Sequence, residues 1–146
     1  MRLTRIAVEN HSRLANLELK VRQHMVLVGP NDVGKSSLLR CLHLLLGAST
    51  AQLYSQIDIE DFRDRDKPFL VEADIAGFNA NERALFPDEI KVDGKDSSLT
   101  IRLEARFDPS ETLSVNRQSV CAAWAHGPAA FARAAPSYRL EVLRGD

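Results

Sequence analysis

Cysteine is scarce: the chain has two in 146 residues, Cys41 and Cys121. Two thiols cannot build a disulfide framework, nor a zinc site on their own, so a reducing compartment is expected. Charge of one sign is lacking too. Nineteen Lys and Arg stand against twenty Asp and Glu, for a net charge of -1. No excess advertises a nucleic-acid or membrane surface, although a local patch fits inside a neutral total. No apolar run approaches the roughly 18 residues of a membrane span. The opening Met1-Arg2-Leu3-Thr4-Arg5-Ile6 lacks the apolar core of a signal peptide. The expectation is a soluble cytoplasmic protein with no membrane partner. At 45% hydrophobic and 27% charged residues, the chain has the make-up of an ordered domain. Its length corresponds to about one.

What is present is a pattern of short strands around one leucine-rich helix. Leu3, Ile6 and Val8 alternate with polar positions up to Glu9, with one slip near Thr4. Leu17, Leu19 and Val21 alternate again after Asn10-His11-Ser12. These read as two antiparallel strands joined by a loop. Met25-Val26-Leu27-Val28 is apolar throughout and ends at Gly29, the pattern of a strand buried on both faces. From Lys35 to Leu46 the period changes. Leu38, Leu39, Cys41, Leu42, Leu44, Leu45 and Leu46 cover most of a helix surface, interrupted by Arg40 and His43, which predicts a buried helix. Gly47 stands at the C-cap position. Residues 48–67 are polar and charged and read as a surface connection. Pro68 to Phe78 and Leu99 to Phe107 read as strands, and Asn79 to Leu85 as a short helix stopped by Pro87. Val92-Asp93-Gly94-Lys95 reads as a turn, and Thr112 to Arg117 as a further strand. Cys121 to Pro136 is rich in alanine and broken at Gly127-Pro128; Tyr138 to Leu143 has the pattern of one last strand.

One motif carries specific chemistry. Gly29-Pro30-Asn31-Asp32-Val33-Gly34-Lys35-Ser36 fits G-x-x-x-x-G-K-[ST], the phosphate-binding loop. Its context agrees, with an apolar strand pattern before it and an apolar helix pattern after it. The glycines allow a tight turn in which backbone N–H groups of Gly29, Asn31, Asp32, Val33 and Gly34 converge on phosphate oxygens. The following helix adds its positive dipole end. In this reading Lys35 bridges the β- and γ-phosphates, the Ser36 hydroxyl holds Mg²⁺, and Ser37 reaches the α-phosphate. Asp32 stands where many such loops carry glycine. Aspartate tolerates positive φ better than most residues, and its charge is expected to face away from phosphate or toward metal-bound water. The expected fold is α/β: a P-loop NTPase-like mixed sheet with an N-terminal antiparallel hairpin and a buried helix after the P-loop. Residues 1–117 form a partial P-loop lobe, and 118–146 an Ala-rich tail.

The opening Leu3-Thr4-Arg5-Ile6-Ala7-Val8-Glu9-Asn10, then Leu17-Glu18-Leu19, then Val26-Leu27-Val28-Gly29-Pro30-Asn31, resembles the N-terminal ATPase lobe of the RecF/SMC group. Asn31 to Leu39 together with Ile59-Glu60-Asp61-Phe62 more closely resembles the OLD family of ATP-dependent endonucleases. The resemblance covers residues 1–108. It implies ATP and Mg²⁺ as cofactors, a second ATPase lobe as partner, and DNA processing such as repair or phage defence. It also implies a polar or basic residue near the phosphates in the loop after the first strand. Arg13 is that candidate, against the plainer reading of a solvated arginine in a turn. Asp61 either approaches the metal through water or is simply solvated. Other parts of the family pattern have no match in this chain. No apolar run ends in Asp-Glu, no signature motif is visible, and no acidic cluster marks a Toprim nuclease. Asp88-Glu89 follows Pro87, which breaks a strand. The second lobe is therefore expected from a homodimer or from a missing C-terminal half.

Two rival readings differ in class. A small P-loop GTPase is suggested by Asp74-Ile75-Ala76-Gly77, a D-x-x-G match, but no N-K-x-D element supplies a guanine reader. The other rival is a nucleotide-binding interaction module without turnover. His24 and His126 have no ligand-spaced partner. His43 reads as a packed or rim residue of the helix, Cys41 as a packed one, and Trp124 as an anchor in the tail.

Overall fold

The computed structural model describes residues 1–31, 33–93, 96–108, 110 and 112–120. Strand β1 (Arg2–Glu9) and strand β2 (Leu17–Lys20) form the expected hairpin, with Ile6 opposite Leu19 and Val8 opposite Leu17. Helix α1 (Lys35–Leu46) follows, then α2 (Thr50–Gln56) and a 3₁₀ turn at Ile59–Asp61. The rest is β3 (Phe69–Ala76), α3 (Ala80–Ala84), β4 (Lys91–Asp93), β5 (Asp96–Phe107) and β6 (Leu113–Val120). Six strands make one open sheet in the order β2-β1-β3-β5-β4, with β6 also on β5, and every pairing among them is antiparallel. The class is α/β, as expected. No helix among the described residues is long and apolar enough to cross a membrane.

The two faces of the sheet follow from side-chain alternation. Ile6 and Val8 of β1, Phe69, Val71 and Ala73 of β3, and Leu99, Ile101, Leu103 and Ala105 of β5 point to one face and are buried. Helix α1 lays Leu38, Cys41, Leu44 and Leu45 into the same core, at the spacing of one helix face. Each such side chain, fully buried, contributes about 1.5–3 kcal/mol. The other face carries a cross-strand charge ladder. Arg5 pairs with Glu72 and donates through Nε to Asp74 at 2.7 Å. Arg102 donates to Glu72 at 2.7 Å and Thr100 to Asp74 at 2.7 Å. Burial pulls the Arg5 guanidinium down, but its bonds to Asp74 and Glu72 outweigh that and hold it above the ordinary arginine value.

Several expectations change. Met25 to Val28 forms no strand, and Val26 and Val28 are 81% and 88% exposed. An apolar run becomes a buried strand only where neighbours supply hydrogen bonds and cover, and none of the six strands pairs with this one. Helix α1 is buried on one face only, with Leu39 left 57% exposed, because a single sheet covers it. Residues 48–67 are not merely a surface connection. Ser49 caps α2 in a reciprocal capping box with Gln52, and Leu53, Ile57 and Phe62 are buried. The short helix before Pro87 and strand β6 fall where periodicity puts them, whereas Val92 and Asp93, read as part of a turn, belong to β4, and β5 begins at Asp96 rather than Leu99. Strand β6 runs to Val120, through the expected boundary at 117. Asp32, the turn residues Gly94 and Lys95, and everything read from Cys121 onward, including Trp124, His126 and the Tyr138 to Leu143 strand, lie outside the described residues.

Strand β6 also locks the far end of α1. Arg117 donates to the carbonyl of Ala48 at 2.5 Å and to those of Leu44 and Leu45 at 3.4 Å. Those of Leu44 and Leu45 are carbonyls that a helix C-terminus leaves without internal partners, Ala48 lies just past the cap at Gly47, and a cation there also meets the negative dipole end. Replacing Arg117 with Ala is expected to lower unfolding free energy by about 1–3 kcal/mol, read from urea denaturation. Arg2→Ala, at an exposed position of β1, should stay within about 0.5 kcal/mol. Equal effects at the two positions would refute the capping role.

Candidate functional site

The sheet and α1 together place one turn, Gly29 to Ser37, at the helix start. Gly34 directly precedes α1 with φ 90°, in the left-handed region, where a Cβ is strained. It is also crowded: a Cβ there would lie 2.4 Å from Leu14 Cδ2 and 3.7 Å from the Arg13 carbonyl oxygen. The β1–β2 loop thus sits on the first turn of the helix, and a Cβ at Gly34 would have to push the end of the Leu14 side chain aside. At the other end, a Cβ on Gly29 would meet Val33 Cγ2 at 3.1 Å, so the turn is tight there as well.

Inside the turn, the Lys35 ammonium donates to the carbonyls of Gly29 and Pro30, both at 2.5 Å. The side chain folds back over its own loop. No carboxylate pairs with it among the described residues. Helix α1 has no side-chain N-cap and no acidic residue in its first turn. Its first amides therefore keep donor capacity and the positive dipole end. Asn31, Val33 and Ser36 are exposed and Ser37 is half-buried. The donor set suits a phosphate chain: a lysine with a third proton to give, uncapped amides and an accessible hydroxyl. It suits Mg²⁺ only in company with phosphate. The described residues hold no group of three or more His, Cys, Asp or Glu placed for a metal, whereas Mg²⁺ is commonly held by one or two protein oxygens plus phosphates and waters.

The sequence matches the family described as an AAA ATPase domain over residues 1–140. The chain belongs to that family. No curated protein matches it. As an AAA ATPase domain it is a nucleotide-binding ATPase module.

The other residues singled out from the sequence of this AAA ATPase domain fall into two groups. Arg13 is beside the turn: its carbonyl faces Gly34, its side chain is exposed, and its guanidinium makes no hydrogen bond or ion pair among the described residues. Asp61 is neither solvated nor available to a metal. It is buried, paired with the Arg40 guanidinium of α1, and accepts the Asp58 amide at 3.0 Å. Burial pushes its carboxyl up, but Arg40 and the Asp58 amide outweigh that and hold it below the usual range. Asp74, the acid of the D-x-x-G match, lies in mid-β3 bonded to Arg5 and Thr100. Alternation puts it on the sheet face opposite α1, away from the Lys35 turn, which removes the main support for a GTPase. Cys41 is packed in the core, its thiol pushed up to about 12 by burial, and is unreactive in that state.

Sequence reasoning missed the frame around the β1–β2 loop. Asn10 has φ 59°, and its side chain donates to the carbonyls of Asp64 and Lys67 at 2.8 Å and accepts the Asp64 amide at 2.9 Å. Arg63 donates to the Leu14 carbonyl at 2.5 Å. Asparagine at a strand end is a known tolerator of positive φ, and that was the available signal. A pocket of about 380 Å³ borders this frame, lined by Glu9, Asn10, Asn16, Arg63, Asp64, Lys67 and Pro68. It contains no residue of the Gly29 to Ser37 segment.

The seating of Leu14 on Gly34 can be isolated by comparison with Gly77. Gly77 also has positive φ, at 75°, but nothing lies within 4 Å of a Cβ there. Gly77→Ala should cost about 1–2 kcal/mol for the backbone alone. Gly34→Ala should cost visibly more in thermal and urea unfolding, with partial recovery on adding Leu14→Ala. If Gly34→Ala is no worse than Gly77→Ala, the loop does not rest on the turn.

Proposed function

We propose that the chain binds Mg-ATP through Gly29 to Ser37, as the N-terminal part of an OLD-like or RecF/SMC-like ATPase in DNA processing, in repair or phage defence. The observation that carries the nucleotide reading is the Lys35 ammonium, held by two loop carbonyls and, among the described residues, by no carboxylate, at an uncapped helix start. In this reading Lys35 takes the β- and γ-phosphates. The backbone of Gly29, Asn31, Asp32, Val33 and Gly34 surrounds them, Ser36 contributes to Mg²⁺, Ser37 reaches the α-phosphate, and Arg13 adds charge from the neighbouring loop. Bound Mg²⁺ would supply charge neutralisation along the phosphate chain. The DNA role and the OLD assignment rest on resemblance in residues 1–108, and the compartment we assign is the cytoplasm.

The same reading makes residues 1–117 a partial lobe completed by another, either from a second copy or from a C-terminal half, with 118–146 as a separate tail. Its support is the exposed apolar surface next to the turn: Val26, Val28, Val33 and Leu39 are all more than half exposed. With no recognisable residues for the hydrolytic step in the sequence, the isolated chain binds with little turnover. The discriminator against a GTPase is preference for ATP over GTP.

Lys35→Ala should weaken Mg-ATP about ten- to hundredfold, as expected for losing one charge-assisted contact, measured by titration calorimetry with GTP in parallel. ATP bound as tightly by the variant as by the parent chain would overturn the assignment. For the partner, the double change Val26→Asp and Val28→Asp should leave the unfolding midpoint of the isolated chain nearly unaltered, since both side chains face solvent. It should abolish association with the second lobe in sedimentation. A large loss of stability in the isolated chain would show that those valines already serve its own core.

A further inference from the structure

The loop that rests on Gly34 is held from beneath by a buried histidine. His11 is 3% exposed, although Ser12 and Arg13, which follow it, are both exposed. Its ring meets Phe69 edge to face, with 5.6 Å between centroids, and its backbone bridges to Phe62. Its Nδ1 accepts the Arg13 amide at 3.0 Å. That nitrogen therefore carries no proton, which makes the ring neutral with its proton on Nε2. The next amide, of Ser12, donates to the Asp61 carbonyl at 2.8 Å, and Asp61 is itself tied to Arg40 of α1. Within the loop His11 holds the Arg13 amide, and the loop is fastened to its surroundings by His11 to Phe62, Ser12 to Asp61 and Leu14 to Arg63.

We propose that His11 is a positioning residue: by accepting the Arg13 amide at Nδ1, it keeps Arg13 and Leu14 turned onto Gly34 and so sets the shape of the Gly29 to Ser37 turn. Its effect on affinity rests on that turn being the nucleotide site; the seating on Gly34 does not. The charged groups facing the ring are Asp61 from the 3₁₀ turn, Arg40 from α1, and Arg13 and Arg63 from the two loops. Protonation would turn the acceptor into a donor aimed at another donor, and would add a cation beside three guanidinium groups. Burial first, and those guanidinium groups with it, outweigh Asp61 and hold the imidazole below its ordinary value of 6.5. The sign follows. The unfolded chain takes up this proton near pH 6.5 while the folded chain resists it. The contribution of His11 is complete above that pH and fades as the pH falls through the folded value.

Amide hydrogen exchange on the full chain without nucleotide reads the bond directly. His11→Phe keeps the ring against Phe69 but removes the acceptor; His11→Asn keeps an acceptor near the Nδ1 position and cannot titrate. The Arg13 amide should exchange about two- to tenfold faster in His11→Phe, the range for one hydrogen bond, and the Gly34 and Lys35 amides should follow it. His11→Asn should restore protection. Between pH 7.5 and 5.5, after correction for intrinsic exchange, protection should fall in the parent chain and stay level in His11→Asn. Mg-ATP affinity at pH 7.5 should drop by a similar factor in His11→Phe and recover in His11→Asn. Unchanged exchange in His11→Phe, or identical pH profiles for the parent and His11→Asn, overturns the proposal. Faster exchange with unaltered affinity also overturns it, by leaving the bond merely structural. If the parent chain binds no nucleotide, the function fails separately, and the Gly34 and Lys35 amides decide the seating on their own. Should His11→Phe not fold, the pH comparison between the parent chain and His11→Asn decides the matter.

Discussion

Everything near the turn depends on how α1 lies on the sheet. Leu38, Cys41, Leu44 and Leu45 form one stripe, and that stripe meets the apolar face made by Ile6, Val8, Val71, Ala73, Ile101 and Leu103. Once the stripe is docked, the helix can neither roll nor slide without opening a cavity. Its first residue, Lys35, then falls beside the loop between β1 and β2, and its last carbonyls fall against Arg117. The N-terminal hairpin thus does two jobs with one stretch of chain. Its strands add two members to the sheet, and its loop supplies the surface on which the helix start rests.

The opposite face of the sheet explains why so little apolar area is wasted there. Arg5, Glu18, Glu72, Asp74, Thr100 and Arg102 come from four adjacent strands and meet across them. Opposite charges directly across a strand pair stabilise register, and a one-residue slip would send the whole ladder into the core. The same ladder occupies Asp74, which by sequence spacing alone invited a GTPase reading.

Legibility from sequence divided along physical lines. Where burial on one face dictates alternation, as in β1, β3 and β5, the pattern stood in the residues themselves. The tight backbone at Gly29 and Gly34 was equally plain, because glycine spacing reflects a local backbone need. Tertiary context decided the rest. Met25 to Val28 has the composition of a central strand, but composition does not supply pairing partners. The seven apolar residues of α1 suggested burial all round, but a helix against a single sheet hides only one side. The stretch after Gly47 looked like a charged linker, although Ser49 and Gln52 stood at capping-box spacing and Ile57 and Phe62 punctuated the charges. Asp61 and His11 were illegible for a deeper reason. Their partners, Arg40 and Phe69, are 21 and 58 positions away, and no local rule links them.

The folded-back lysine has a further consequence. A cation paired with a carboxylate must break that pair before it can serve an incoming anion, and the released acid then repels the newcomer. Lys35 leans on two neutral oxygens instead. Exchanging those for a charged guest surrenders only dipolar contacts, while the side chain has already given up its rotamer freedom during folding. Its positive charge is therefore stored in place, with no competitor of opposite sign bound to it among the described residues.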